Sequence, residues 1–186
     1  MKSLSLIALL LVAMHGIADG VQFLSAASSM SPDGRWKLSC KMPADSTTDA
    51  MAWVVLTRVG GKSIKLRQID RHCEVLWSPD SSHFAIPGDC SSDRSDVLIY
   101  SASRRASKKS LAELFPTNAM PAGELNGHCY MEAREWLDPH RLRINIFGHT
   151  DDAPVHNFDR EYIFNLRSGR FETPGIRQRS RHASVL

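Results

Sequence analysis

After residue 20 the chain contains no long hydrophobic run. A membrane-spanning helix needs about 20 consecutive apolar residues, so none is expected there. Neither sign of charge dominates: 23 basic and 20 acidic residues leave a formal +3, and the charged fraction of 23% is ordinary for a globular protein. Nucleic acid is therefore not expected as a partner. No Asn-x-Ser/Thr acceptor occurs, nor Gly-x-Ser-x-Gly or His-Glu-x-x-His, the local patterns that expose a nucleophilic serine or hold a catalytic zinc. Helical signals are sparse. No catalytic residue, metal ligand or cofactor is assigned from what remains.

What is present begins with MKSLSLIALLLVAMHGIADG: one lysine, an apolar run from Leu6 to Met14, then small residues. That order is the layout of a cleaved secretory signal over residues 1–20, with cleavage sites at Ala18 or Gly20. The expected location is exported, periplasmic or secreted. In such an oxidising compartment Cys40, Cys73, Cys90 and Cys129 are read as two disulfides, with Cys73–Cys90 and Cys40–Cys129 preferred among three connectivities. Residues 21–173 are expected to form one soluble β domain, and the polar, basic segment 174–186 a flexible tail.

A repeat runs through that domain. SPDGRWKLSC at 31–40, WSPDSSHFAI at 77–86 and WLDPHRLRINIF at 136–147 each place a Pro/Asp turn before a short strand. The third is degenerate, with Asp138 and Pro139 reversed. Each is followed by a polar loop, then by a more apolar strand: MAWVVLTRV at 51–59, DVLIYSAS at 96–103 and EYIFNLRSG at 161–169. Val, Ile, Tyr, Phe and Trp dominate these runs, as half-buried or buried strands require. The basic hairpins RVGGKSIKL, SRRASKKSL and LRSGRFE then return the chain, and HCEVLW and HCYMEAREW supply a further strand before the second and third turns. Asp33, Asp80 and Asp138 stand 47 and 58 residues apart, a period that suits a four-stranded antiparallel meander. One short helix is expected over 108–115, between a Ser110 cap and Pro116.

The stretches SPDG, WSPD, VLIY and YIFNLRSG resemble the WD40-like repeats of TolB-type β-propellers. The resemblance implies a mostly β chain of three blade-like antiparallel meanders, as a partial or open propeller or a sandwich, and an interaction module more readily than an enzyme. Propellers close with typically four to eight blades, and this chain has residues for three.

Other motifs carry less. GGKS at 60–63 lacks the earlier glycine of a phosphate loop, where Leu56 stands, and lies between strands, so it reads as a hairpin turn. His72-Cys73 and His128-Cys129 have zinc-ligand chemistry but not the usual spacing. Trp36, Trp53, Trp77 and Trp136 sit in or beside strands and are assigned to the core.

An up-and-down meander puts its first and third turns at one end and its second loop at the other. The second loops, taken as 41–50, 87–96 and 148–159, contain Asp45, Asp49, Asp89, Asp93, Asp96, Asp151, Asp152 and Asp159. The hairpins hold Arg58, Lys62, Lys65, Arg67, Arg104, Arg105, Lys108, Lys109, Arg167 and Arg170. One end should be acidic and the other basic, and the eight aspartates are the candidate surface for a protein partner with a basic surface. The expected function is therefore a non-enzymatic exported binding protein, such as a periplasmic inhibitor or immunity protein. A secreted hydrolase with a loop-built site, and a self-associating envelope structural protein, are the alternatives.

Overall fold

The computed structural model describes residues 22–23, 28–41, 51–69, 73–121, 123–151 and 154–173, with backbone alone at 22–23 and 89–90. The signal segment, Asp45, Asp49, Asp152, His72 and the 174–186 tail lie outside the described residues, as do the side chains of Asp89 and Cys90.

The fold is mostly β, in three successive antiparallel sheets with one short helix. The first sheet runs β2 (Ser29–Met30), β3 (Trp36–Lys41), β4 (Ala52–Arg58), β5 (Ser63–Ile69). The second runs β6 (Glu74–Trp77), β7 (His83–Cys90), β8 (Ser95–Ser101), β9 (Lys108–Ser110), and the third β10 (His128–Asp138), β11 (Arg141–His149), β12 (Asn157–Asn165), β13 (Arg170–Glu172). The second sheet also has a strand absent from the repeat: β1 (Gln22–Phe23) pairs with β6. The helix α1 (Leu111–Leu114) is shorter than its expected span, because 108–110 pair with β8 as β9; Ser110 is its N-cap and accepts from the Glu113 N–H.

Two apolar cores separate the sheets, and the burial pattern explains the sequence of each unit. The middle sheet is covered on both faces. Trp77, Phe84, Ile86, Leu98 and Tyr100 pack toward Trp36, Leu38, Val54 and Leu56 of the first sheet. Leu76, Ala85, Val97 and Ile99 pack toward Met131, Trp136, Leu142, Ile144 and Ile146 of the third. Two-sided burial demands continuous apolar runs such as Val97–Tyr100, whereas β3 and β11 alternate because one face meets solvent. The outward rows of the third sheet are polar: Glu135 and Arg143 pair at 2.7 Å, and Arg134 meets Glu132 at 3.0 Å. On the first sheet Lys37, Lys41 and Lys65 are exposed and Lys65 lies over the Trp53 ring at 4.9 Å. Charged side chains thus occupy much of the outward faces of the terminal sheets among the described residues.

The turns repeat atom by atom. Ser31 donates to Asp33 and Ser78 to Asp80, each at 2.7 Å, while the Trp36 N–H donates to Ser31 Oγ and the His83 N–H to Ser78 Oγ. Gly34 and Ser81 take the left-handed conformation, φ 69° and 61°. Ser81 tolerates it because its hydroxyl accepts the Asp33 N–H at 3.0 Å, which ties the turns of two sheets together. Burial opposes ionisation at Asp33 and Asp80, but hydrogen bonds from the neighbouring serines and backbone outweigh it and hold both carboxyls below the ordinary range. Asp138 accepts the His140 and Arg141 N–H groups in the third turn.

The repeated tryptophans reach backward: Trp77 donates its indole N–H to Ser29 Oγ at 2.8 Å and Trp136 to the Leu76 carbonyl at 3.0 Å. In each unit the end of the third strand bonds back to the first turn: Val59 N–H to Arg35 O, Ala102 N–H to Ser82 O, Leu166 N–H to His140 O. First turns and third hairpins therefore share one end, the turn end. The second loops and the connections between sheets share the other, the loop end.

Candidate functional site

Cross-strand pairing places His128, Tyr130, Phe147 and His149 on the outward face of the third sheet, near the loop end. His128 stands opposite His149 and Tyr130 opposite Phe147. The approach is close because residue 148 is glycine: a Cβ there would lie 1.7 Å from the His128 carbonyl oxygen. The imidazoles stack at 4.3 Å, and the aromatic rings beside them lie 5.6 Å apart. Asp151 Oδ1 sits 4.0 Å from His128 Nε2 and 3.9 Å from His149 Nδ1.

The loop 91–94 of the second sheet is stitched to this patch. The Cys129 N–H donates to Asp93 O at 2.9 Å, and Tyr130 donates its hydroxyl to Ser92 O. Asp93 accepts from Ser91 Oγ, which, with a backbone N–H, holds its exposed carboxyl below the usual range. Asp93, His128, His149 and Asp151 therefore form one open polar surface across the junction of two sheets.

Of the other candidate aspartates whose side chains are described, Asp96 does not join it and Asp159 lies at its margin. Because β7 extends to Cys90 and β8 begins at Ser95, residues 89 and 96 belong to strands rather than a loop, and Asp159 lies within β12. Asp96 is turned inward: its carboxylate accepts from Ser110 Oγ at 2.7 Å and from the Ala112 N–H at 2.8 Å, holding the start of α1. Asp159 is exposed opposite Phe147 on the outward face. Of the basic residues, Lys65, Arg67, Lys108 and Lys109 line edge strands β5 and β9 instead of the turn end, and Asp33 and Asp138 at that end pair with Arg35 and Arg141. The separation of charge between the two ends is correspondingly smaller than the hairpin positions suggest.

Cys40 and Cys129 are free thiols. Cys40 borders the core between the first and second sheets and Cys129 lies in the core between the second and third, so the expected Cys40–Cys129 bridge is not formed. Burial pushes both thiols up in pKa. Alternation along β10 sends Cys129 inward and His128 outward, which separates that pair as metal ligands. Among the described residues no three His, Cys, Asp or Glu side chains converge as a metal group.

A second polar cluster was not legible in the sequence. Glu124, 2% exposed, receives two hydrogen bonds from Arg160 at 2.6 and 2.7 Å and lies 3.6 Å from His156. Arg160 shares the inward parity of Phe158 and Tyr162, and Glu124 comes from the connection between sheets to neutralise it. Thr150, His156 and Glu124 imitate the hydroxyl–imidazole–carboxylate order of a nucleophilic site. Their geometry is that of a clasp: Thr150 is buried and its hydroxyl accepts the His156 N–H at 3.1 Å, closing the loop 150–156. The Glu124 oxygens are held by Arg160.

No family model matches this chain, and no curated protein matches it. A solved structure of a variant of the AtxE2 isopeptidase with Astexin3-dC4 bound is similar in fold, with a TM-score of 0.51 at 15% identity. The similarity covers 84% of this chain but only 30% of that one, so it bears on the arrangement of the sheets alone.

Proposed function

We propose that the chain is an exported, non-enzymatic binding protein that docks a basic protein partner through its loop end, in the manner of a periplasmic inhibitor or immunity protein. The observation that carries this reading is the open surface of Asp93, His128, His149 and Asp151, built across two sheets and anchored by the loop 91–94. Exposed carboxylates on a rigid β scaffold speed encounter with a cationic surface and reject anionic ones. We read the three sheets as blades of the TolB-type repeat; the repeated turns and backward-reaching tryptophans support that kinship. Signal cleavage after residue 18 or 20 is compatible with β1, which pairs from Gln22. In an oxidising compartment Cys73, just before β6, and Cys90, ending β7, are the pair that export would join.

The test is capture of partners from a periplasmic fraction on the immobilised mature chain, followed by binding of the purified partner at several salt concentrations. The Asp93→Asn, Asp151→Asn double variant should weaken binding about tenfold and flatten its salt dependence. An unchanged affinity, or a captured partner cleaved by the chain, overturns the reading, the latter in favour of the hydrolase. A concentration-dependent oligomer by light scattering, with no other partner, favours the envelope structural protein. Alkylation of the unreduced exported protein should label two thiols rather than four.

A further inference from the structure

The loop-end surface makes no use of a groove that runs along the outer side of the first two sheets. This groove encloses ≈ 500 Å³. One wall is formed by five successive residues of β5, Ile64 to Gln68, and the floor by Leu98 and Tyr100 of β8 with Ala106 and Lys108 beside them. Leu98 and Tyr100 are themselves buried in the core between the first two sheets, so Ala106 and Lys108 are the more accessible part of that floor.

The wall is a sheet edge. β5 is last in the order of its sheet, and among the described residues no strand pairs with its outer side. Along such an edge every second residue directs its N–H and C=O outward, a template for another strand. An added strand would bond to β5 through its main chain and lay alternate side chains against Ala106 and Lys108.

The charges select the occupant. Lys65, Arg67 and Lys108 border the groove, and Arg67 donates a hydrogen bond to Pro87 O at 3.2 Å. Two acids, Glu113 and Asp96, also border it, the Asp96 carboxylate turned to Ser110 and the Ala112 N–H, so the three cations outnumber the carboxylates by one. Lys108 shares the inward face of β9 with the floor, whereas Lys65 stands on the outward face over Trp53. An extended segment with alternating residues therefore meets a cation on each of its faces. The basic 174–186 segment of this chain has the wrong sign to fill it.

We propose that this groove binds an extended, acidic segment of a partner protein, which adds to β5 as a further strand of the first sheet. At about 3.3 Å per residue, the seven residues of β5 accommodate a segment of about six. This site is separate from the loop-end surface and does not depend on it.

The probe is a fluorescein-labelled acetyl-Glu-Val-Glu-Thr-Glu-Val-amide, titrated against the mature chain by fluorescence anisotropy at low salt. The expected result is saturable binding, weakened at least tenfold when the glutamates are replaced by lysines or when alternate peptide nitrogens are methylated. Lys65→Glu with Lys108→Glu, both exposed, should weaken it at least tenfold, while Asp93→Asn with Asp151→Asn should leave it unchanged. Hydrogen exchange should show new protection in β5 amides on peptide addition. No saturable binding, equal binding of the lysine or N-methylated peptide, or protection elsewhere than β5 overturns the proposal.

Discussion

The two ends of the molecule are held by different means. At the turn end, side chains within six positions of one another satisfy the backbone: Ser31 and Asp33 in the first unit, Ser78 and Asp80 in the second, Asp138 in the third. At the loop end, bonds that span 36 residues or more, from Arg160 to Glu124 and from Tyr130 to Ser92, join short ones such as His156 to Thr150. The turn end has long-range links as well, Asp33 N–H to Ser81 and Trp77 to Ser29, but its local bonds are the ones copied from unit to unit, whereas the loop-end clasps are particular to one place. The turn end is accordingly regular, and the loop end is where surfaces differ and where a partner can be discriminated.

The largest effect should come from the link between sheets at the turn end. Trp77 is buried, packs on Phe84 at 4.9 Å and bonds to Ser29, so Trp77→Ala should cost about 3–5 kcal/mol in chemical denaturation. A loss below about 1 kcal/mol would show that the sheets do not depend on the backward-reaching indole.

Next is the clasp at the loop end. Hydrogen bonds from Arg160, working against burial, hold the Glu124 carboxyl below the ordinary glutamate range. Glu124→Gln should cost about 2 kcal/mol near neutral pH, since it removes a charged acceptor from a buried site. Because the folded pKa is depressed, this contribution is complete above the ordinary glutamate pKa of 4.5 and fades as pH falls through the lowered folded value. Denaturation of both proteins from neutral to acid pH should show their difference shrinking; a difference that grows in acid would reverse the assignment.

Ser31→Ala and Ser78→Ala test the likeness of the first two turns. Each deletes a bond to a backbone N–H and one to an aspartate, and each should cost about 1–2 kcal/mol. Melting curves that separate the two by more than about 1 kcal/mol would break the equivalence. The smallest change is expected for Asp93→Asn with Asp151→Asn, which should alter stability by less than about 0.5 kcal/mol while weakening partner binding. That contrast separates a docking surface from a structural one.

The repeat was legible because its signals are local. A Ser-Pro-Asp triplet, an apolar run and a basic hairpin fix one meander each, and a continuous Val-Leu-Ile-Tyr run distinguishes the strand buried on both faces from the alternating β3 and β11. The added strand β1 was missed because its pairing with β6 crosses some fifty residues and leaves no pattern in so short a segment. The site was half legible. Topology placed Asp93 and Asp151 at one end, but loop boundaries decided that Asp96 would cap α1 and Asp159 would lie in a strand. Of the histidine pair, only His128 was legible, as the neighbour of Cys129, and His149 carried no signal.

By itself the sequence determined three antiparallel meanders, their shared ends and the turn chemistry, because turn residues and apolar periodicity act over a few positions along the chain. Only the tertiary structure decided which side chains meet: His128 with His149, Glu124 with Arg160, the open edge of β5 beside the floor of the second sheet. Those meetings follow from register and from sheet-on-sheet packing, where a shift of one residue turns a side chain from core to solvent.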